Sequence, residues 1–205
     1  AAIRPKALYL SFWGIGHQGL REAALELIEH TELNALVIDV KGDLGGVPYP
    51  TTVVTAESIG ARKITTVGDM GKLIAQLKAK NIYLIARIVV FKDSPLANAH
   101  PEWAVKTTAG GLFHDREELA WIDPSRQEAW NYSLDLAVEA ARLGFDEIQF
   151  DYVRFPDSPG LTFSVANTEE NRVAAISGFL ATARSRLLPY NVFLSADIFG
   201  YVFWN

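Results

Sequence analysis

Two aspartates, Asp151 and Asp197, stand at or near the ends of two apolar runs of the sequence, where their carboxyl groups could act together. Hydrolysis of a glycosidic bond generally uses two carboxyl groups, one that donates a proton and one that attacks the sugar or activates water. Asp39 is a third carboxylate in the same kind of position. Lys41 and Arg87 are cations in equivalent positions, and their charge favours the ionised form of a neighbouring carboxylate.

Short apolar runs alternate with stretches of helical spacing along the chain, which predicts the elements that carry these residues. The predicted strands are residues 7–13, 35–41, 82–91, 147–155 and 192–199. The predicted helices are residues 20–30, 67–80, 125–143 and 168–188. Strands separated by helices of this length predict parallel βαβ units within one α/β domain that spans residues 1–205.

The polar residues of each predicted strand share one face. Successive side chains of a strand point to opposite faces, so one face of every strand is apolar and suited to packing under helices. The other face turns polar toward the C-terminal end and carries Asp39, Lys41, Arg87, Asp151 and Asp197. In a (β/α)₈ TIM barrel this face points inward and the polar ends meet in one pocket. An open sheet with helices on both faces does not need the pattern, although a buried ion-pair network without catalysis would also produce it.

Aromatic and cationic residues near the same strand ends are candidates for binding a sugar. Trp13, Trp121 and Tyr152 could offer rings to a sugar face, although packing in the core or in a loop explains each of them equally well. Arg154 has the opposite parity to Asp151, so we expect it to orient the loop or to hold substrate. Residues 114–116 (His-Asp-Arg) could line a cleft or belong to a solvated loop.

Residues 14–19 spell G-x-G-x-x-G after the first predicted strand, and Asp39 ends the next strand 20 residues after Gly19. This is the fingerprint of a dinucleotide-binding fold, in which glycines approach the phosphates and the acid binds ribose hydroxyls. The inward parity of Asp39 beside Lys41 argues instead for a shared polar pocket, with the glycines forming a tight loop. A Rossmann-type NAD(P)-binding protein therefore stays as an alternative.

The composition limits the partners that the chain can have. A net charge of −5 argues against nucleic acid as the main partner, because such binding needs a basic face. The absence of cysteine excludes disulfides and thiolate metal sites. The four histidines are not spaced as metal ligands, so no metal and no cofactor are expected. No apolar run reaches the ~20 residues that span a bilayer.

Five segments of the sequence resemble a known family, and they occur in the family's order over nearly the whole chain. The segment that includes Phe-Asp-Tyr-Val-Arg-Phe-Pro is specific. The segments are residues 36–41, 85–93, 119–124, 144–156 and 194–200. The chain is thereby identified as similar to the putative glycosyl hydrolase domain of bacteria, a domain of unknown function related to the α-amylase-type barrels.

The resemblance implies a (β/α)₈ barrel with glycosidase activity. Amylase-like barrels place the nucleophile at the end of strand four, where Asp151 stands, and the acid at the end of strand five, where Asp197 stands. The related acid is usually Glu, so this correspondence is one of position. Family members carry further strands, whereas this chain ends at Asn205. We therefore expect only the first five βα units, with no pairing between the first and fifth strands, and completion by further barrel strands or another chain.

These observations predict a glycoside hydrolase that acts on a poly- or oligosaccharide by a two-carboxylate mechanism. The alternative from another class is a non-catalytic polysaccharide-binding barrel of the cell envelope. We expect the protein to be located outside the cell or in the cell envelope. The sequence opens almost directly onto a strand, so no signal peptide is expected within it.

Overall fold

The structure is a computed structural model that describes residues 4–198. Its strands are β1 (Ala7–Leu10), β2 (Ala35–Lys41), β3 (Tyr83–Val89), β4 (Lys106–Thr107), β5 (Glu147–Asp151), β6 (Leu161–Thr162) and β7 (Phe193–Ala196). Five of them form one sheet in the order β1-β2-β3-β5-β7, and every neighbouring pair is parallel. The predicted parallel sheet in chain order is confirmed. Within residues 4–198, β1 pairs only with β2 and β7 only with β5, so the two edges of the sheet are not joined.

Helices connect the parallel strands and cover one face of the sheet. They are α1 (Phe12–Gly16), α2 (Gln18–His30), α3 (Val54–Ser58), α4 (Met70–Ala79), α5 (Ser94–Ala99), α6 (Gln127–Leu143) and α7 (Glu169–Leu187). The side chain of Asp69 caps α4, and Gly144 ends α6 in the left-handed conformation at φ 103°. The short helices α3 and α5 were not predicted, because one or two turns cannot show a helical period. None of the helices in the described range is long and apolar enough to cross a membrane.

The helix-facing side of the sheet is apolar, as its sequence pattern predicts. Phe150 of β5 contacts Phe179 of α7 edge to face, with ring centroids 5.1 Å apart, and Phe91 contacts the same ring at 5.4 Å. Full burial of one such side chain stabilises the fold by roughly 1.5–3 kcal/mol. These contacts hold α7 over β5 and over Phe91, which follows β3, next to the strand ends that carry the polar residues.

The opposite face of the sheet changes from apolar to polar along the strands. Ala35, Tyr83 and Ile85 form a small buried cluster near the N-terminal ends, with Val37 packed against it. Asp39 and Arg87 follow two residues later on the same face and are paired directly across β2 and β3. Because successive residues alternate between faces, this layering brings the charged side chains together at the C-terminal ends.

Two strands end earlier than predicted, for identifiable reasons. The first stops at Leu10, because the side chain of Ser11 accepts a hydrogen bond from the backbone N–H of Gly14 and begins α1. Trp13 consequently lies on a helix and not on an inward strand face. The strand predicted to end at 155 stops at Asp151, since Tyr152 has a φ of 54°. The predicted end of the last strand at Phe199 lies outside the described residues.

The long polar segment after β3 was expected to be a loop, but it contributes to a second, two-stranded sheet. β4 pairs antiparallel with β6, which belongs to the loop after β5. The backbone N–H of Thr108 donates to the carbonyl of Gly160, and the backbone N–H of Ser164 donates to the carboxylate of Asp123. The small sheet therefore joins the loops of two βα units into one wall beside the polar strand ends.

Candidate active site

Arg87 of β3 lies at the centre of the polar strand ends. Its Nη1 donates to Asp39 Oδ1 at 2.8 Å, and its Nη2 donates to Asp43 Oδ1 at 2.8 Å. Nη2 and Nε also donate to Asp151 Oδ2, at 2.6 and 2.9 Å. One guanidinium group thus holds three carboxylates that come from β2, from the loop after it and from β5.

Asp39 is the most buried of these carboxylates. Its Oδ2 accepts hydrogen bonds from the Tyr9 hydroxyl at 2.8 Å and from the Phe12 backbone N–H at 2.9 Å. Burial raises the pKa of Asp39, and the opposing effect of Arg87 does not cancel it. Burial and the Asp39 carboxylate also raise the pKa of Tyr9 above its ordinary range. Both oxygens of Asp39 are engaged, so this residue links β1 and α1 to Arg87.

Asp151 is held by its own backbone as well as by Arg87. Its Oδ1 accepts a hydrogen bond from the backbone N–H of Tyr152 at 2.6 Å. Tyr152 adopts the left-handed conformation, which costs a residue other than glycine about 1 kcal/mol or more. Strain of this kind is concentrated at functional sites, where it positions a side chain. Asp151 is only partly buried, so its carboxylate remains accessible from the cavity beside it.

Asp197 follows β7 and lines the same cavity as Asp151. The cavity has a volume of about 200 Å³ and is lined by Arg87, Asp151, Tyr152, Arg154, Asp197 and Ile198. Gln149 Nε2 donates to Asp197 Oδ1 at 3.0 Å, and the Asp197 backbone N–H donates to the Phe150 carbonyl at 2.9 Å. Burial raises the pKa of Asp197, and the negative charge of Asp151 raises it further.

The Asp151→Asn substitution is expected to lower the pKa of Asp197. It removes the negative charge that raises this pKa, whereas the burial of Asp197 remains, so the pKa falls without reaching its ordinary value. A carboxyl ¹³C NMR titration measures the change. Asp135→Asn is the control, because Asp135 pairs with Arg186 in the helical layer. An unchanged pKa of Asp197 would show that the two carboxylates are not electrostatically coupled.

The expectation that Lys41 points toward Arg87 is wrong. The pairing of β2 with β3 shifts between Asp39 and Lys41, so Lys41 is opposite Ile88 of the helix-facing side. A bulge of this kind reverses the face that the next side chain occupies. Lys41 Nζ instead donates to Asp93 Oδ2 at 2.7 Å and to Ser133 Oγ at 3.0 Å, in full burial. It cannot touch a substrate in this conformation.

Arg154 lines the cavity of the two aspartates. The sequence predicted a strand through residue 155, in which Arg154 would lie on the face opposite to Asp151. Because the strand ends at Asp151, strand alternation no longer applies to Arg154. Its guanidinium lies 4.9 Å from the ring centroid of Trp121 and 5.6 Å from that of Tyr152. Burial lowers the pKa of Arg154 from its ordinary value.

The three predicted aromatic residues have different surroundings. Trp121 is only 2% exposed, and its Nε1 donates to Asp115 Oδ2 at 2.8 Å. With Arg154 over its ring, Trp121 does not offer a free face to a sugar. Tyr152 is half-buried between Arg154 and Lys92. Trp13 is 55% exposed and lines a separate, largely apolar cavity of about 270 Å³ next to Asp39.

A larger cavity of about 690 Å³ adjoins the first, and Tyr152 and Arg154 line both. Its charged lining residues are Lys92, Asp115, Arg116, Glu117, Arg154, Asp157 and Arg172. Arg154, and Asp115 and Arg116 of residues 114–116, are candidates from the sequence, whereas Lys92, Glu117, Asp157 and Arg172 were not predicted, because they come from loops and from α7, where strand parity gives no signal. Two further residues around Arg87 could have been predicted from the sequence. Asp43 lies two residues after the end of β2, and Tyr9 lies on the inward face of β1.

The glycine-rich segment, residues 14–19, packs against Thr66 in the loop before α4. A Cβ atom on Gly16 would lie 2.4 Å from the Cβ of Thr66, so only glycine fits there. Thr66 Oγ1 donates to the Phe12 carbonyl at 2.7 Å, which holds the two segments together. This contact and the engaged carboxylate of Asp39 account for the motif without a nucleotide. In the described part of the chain, no three His, Asp or Glu side chains are grouped as a metal site requires.

A sheet of parallel βα units defines the chain as an α/β protein, and its strand ends gather carboxylates around an arginine at the edge where such folds place their active sites. The chain belongs to the family described as "Putative glycosyl hydrolase domain", which matches residues 7–205. The solved structure of a hypothetical protein from Ruminiclostridium thermocellum ATCC 27405 is 39% identical in sequence. The alignment covers 94% of this chain and 98% of that one, with a TM-score of 0.83.

More distant structures share the fold. The α-galactosidase TtGalA from Thermus thermophilus, solved in complex with stachyose, is 16% identical with a TM-score of 0.61. An α-galactosidase from Lactobacillus brevis is 14% identical with a TM-score of 0.62. This chain is covered to 96% and 94%, but it spans only 41% and 26% of those chains. No curated protein matches the sequence.

Proposed function

We propose that the protein hydrolyses glycosidic bonds in an oligo- or polysaccharide, with Asp151 and Asp197 as its two carboxyl groups. The observation that carries the proposal is that both residues line one cavity in different electrostatic surroundings. Asp151 accepts three hydrogen bonds from N–H groups, whereas the pKa of Asp197 is raised. Two carboxyl groups in contrasting environments are suited to different roles in acid–base chemistry.

We propose a different role for each carboxyl group. Asp197 keeps its proton to a higher pH than an ordinary aspartate, so it donates that proton to the leaving glycosidic oxygen as the bond breaks. Asp151, held as an acceptor, supplies the carboxylate that attacks the anomeric carbon or takes a proton from the attacking water. Arg87 stays hydrogen-bonded to Asp151 and positions it during the reaction.

The proposal includes the architecture around the site. The five parallel βα units form part of a (β/α)₈ barrel, and further strands or another chain complete the circle. The fold similarity to TtGalA makes α-galactosides such as stachyose the first substrates to test. A polysaccharide substrate would place the protein outside the cell or in the cell envelope.

Release of reducing ends from a panel of α- and β-linked oligosaccharides tests the proposal. We expect the wild-type protein to hydrolyse at least one member, and Asp197→Asn to lower kcat about 10²–10⁴-fold by removing the acid. Activity of the wild type should fall as pH rises through the raised pKa of Asp197, and the variant should lack this dependence. Asp135→Asn is the control variant.

Calorimetric binding measurements on the same panel distinguish an enzyme from the non-catalytic alternative. An enzyme binds and releases product, and Asp197→Asn reduces release more than it reduces affinity. Saturable binding without release by the wild type would identify a binding module and would overturn the proposed hydrolysis.

A further inference from the structure

We infer that Gln149 is the positioning residue of Asp197, a neutral donor that orients this carboxyl group and leaves it free to gain and lose its proton. The inference deepens the proposed function and rests on it for the reaction in which Asp197 acts. It goes further in giving a role to an inward side chain outside the pair of carboxyl groups and outside the carboxylates that Arg87 holds.

Gln149 occupies a central position on the inward face of the sheet. It lies in β5 two residues before Asp151, and strand alternation places both side chains on the same face. In the register of the sheet it is paired with Arg87 of β3 on one side and with Ser195 of β7 on the other. Gln149 therefore lies between the arginine that binds Asp151 and the strand that leads to Asp197.

A direct hydrogen bond joins Gln149 to Asp197. Gln149 Nε2 donates to Asp197 Oδ1 at 3.0 Å, within the normal range for an N–H donor. The backbone N–H of Asp197 donates to the carbonyl of Phe150 at 2.9 Å. The side chain and the backbone of Asp197 are thus attached to adjacent residues of β5, which places its carboxyl group in the cavity that Asp151 also lines.

The acid that precedes Gln149 on the inward face is engaged with other partners. Glu147 lies on this face two residues before Gln149. Its Oε1 accepts a hydrogen bond from Ser195 Oγ, and its Oε2 accepts one from the Tyr83 hydroxyl at 3.0 Å. Because neighbouring strands supply donors to both oxygens of Glu147, the amide of Gln149 is available to Asp197.

The two carboxyl groups of the proposed reaction have donors of different charge. Asp151 is bound by the guanidinium of Arg87, and a cation favours the ionised form of a carboxylate. Asp197 is bound by an amide, which carries no charge. A general acid holds its proton before the bond breaks and releases it as the bond breaks. A neutral donor allows both states, whereas a cation in its place would hold Asp197 ionised.

The charged groups around Asp197 set the background against which Gln149 acts. Burial raises the pKa of Asp197, and the negative charges of Asp151 and Glu147 raise it further. The charge of Arg87 opposes them, and Arg154 also lines the cavity. The hydrogen bond from Gln149 adds a preference for one oxygen. An N–H group donates better to the carbonyl oxygen of a protonated carboxyl group than to its hydroxyl oxygen, so Oδ2 of Asp197 is the oxygen that carries the proton.

An NMR titration of the wild-type protein tests the contact. The side-chain amide protons of Gln149 should shift in step with the ¹³C resonance of the Asp197 carboxyl group, because ionisation of the acceptor strengthens the hydrogen bond. Asp197→Asn should abolish this shift. Amide protons that do not follow the ionisation of Asp197, or that titrate unchanged in Asp197→Asn, would overturn the inference.

Substitution of Gln149 tests the role. Gln149→Leu has a similar volume but no donor, so the ionised form of Asp197 loses a hydrogen bond and its pKa should rise. On a glycan that the wild type hydrolyses, kcat should fall at least about tenfold and KM should change less than about twofold, because the proton is no longer oriented. The fall of activity at high pH should move to higher pH together with the pKa. Gln149→Glu adds a negative charge and should raise the pKa of Asp197 more than Gln149→Leu does.

Gln76→Leu is the matched control, because Gln76 lies on α4 in the helical layer, and it should change neither the pKa of Asp197 nor kcat. Thermal melting shows that each variant is folded. A fall in kcat with an unchanged pKa of Asp197 would reveal a merely structural role, and unchanged kcat would exclude any role; either result overturns the inference. A raised pKa in Gln149→Leu, in a protein that hydrolyses no glycan of the panel, would support the contact and overturn only the proposed function.

Discussion

The Asp151→Asn substitution is expected to slow hydrolysis by at least about 10⁴-fold, the upper end of the effect of removing one catalytic acid–base group. The amide has one oxygen, so it can accept hydrogen bonds from Arg87 or from the backbone N–H of Tyr152, which donate to different oxygens of Asp151. What it loses is the negative charge and the nucleophilic oxygen, so binding of the sugar should change little. Initial rates of reducing-end release and calorimetric affinity, measured on the same glycan, separate the two effects.

The geometry predicts that this variant remains folded. Arg87 keeps its hydrogen bonds to Asp39 and Asp43, so its charge is still compensated. Asp135→Asn, which changes a carboxylate in the helical layer, should retain wild-type activity. Retention of more than a few per cent of the activity by Asp151→Asn would remove Asp151 from the catalytic pair.

Replacing Lys41 by Met is expected to lower the free energy of unfolding by about 3–5 kcal/mol, the cost of leaving one partner of a buried ion pair unpaired. Both side chains of the pair Lys41–Asp93 are completely buried. Lys41 Nζ also lies 4.7 Å from the ring centroid of Tyr132. The substitution leaves the Asp93 carboxylate buried without its cation, because its remaining side-chain hydrogen bond is the cap of α5. Urea unfolding followed by circular dichroism measures the loss.

Two further variants distinguish this effect from a general loss of packing. Asp93→Asn combined with Lys41→Met removes both charges and keeps an amide that can cap α5, so it should recover much of the lost stability. Lys6→Met removes an exposed cation paired with Glu32 and should cost less than about 1 kcal/mol. A loss from Lys41→Met no larger than that from Lys6→Met would contradict the prediction.

The parallel order of the strands and the gathering of Asp39, Arg87 and Asp151 were predictable from the sequence. Each of these residues lies within a regular strand, where alternation alone determines the face that a side chain occupies. The caps at Asp69 and Gly144 were also predictable, because their residue types serve at those positions.

The errors occur where the backbone leaves regular geometry. A shift of pairing after Asp39 turns Lys41 to the helix side, and early strand ends place Trp13 on a helix and Arg154 in the cavity. Residues such as Arg172 reach the larger cavity only through the packing of α7 against the loops. Tertiary contacts of this kind have no local period in the sequence.

The small sheet that joins the loops after β3 and β5 has a consequence for the order of folding. It pairs only two residues of each strand across 56 residues of chain, whereas β3 and β5 pair over five residues. Closing a loop of this length costs chain entropy, and a pairing of only two residues provides few contacts to offset that cost. The small sheet therefore forms after β3 and β5 have paired, and its amides should exchange with solvent deuterium long before those of β3. The link between the two loops is thus expected to assemble late and to open early.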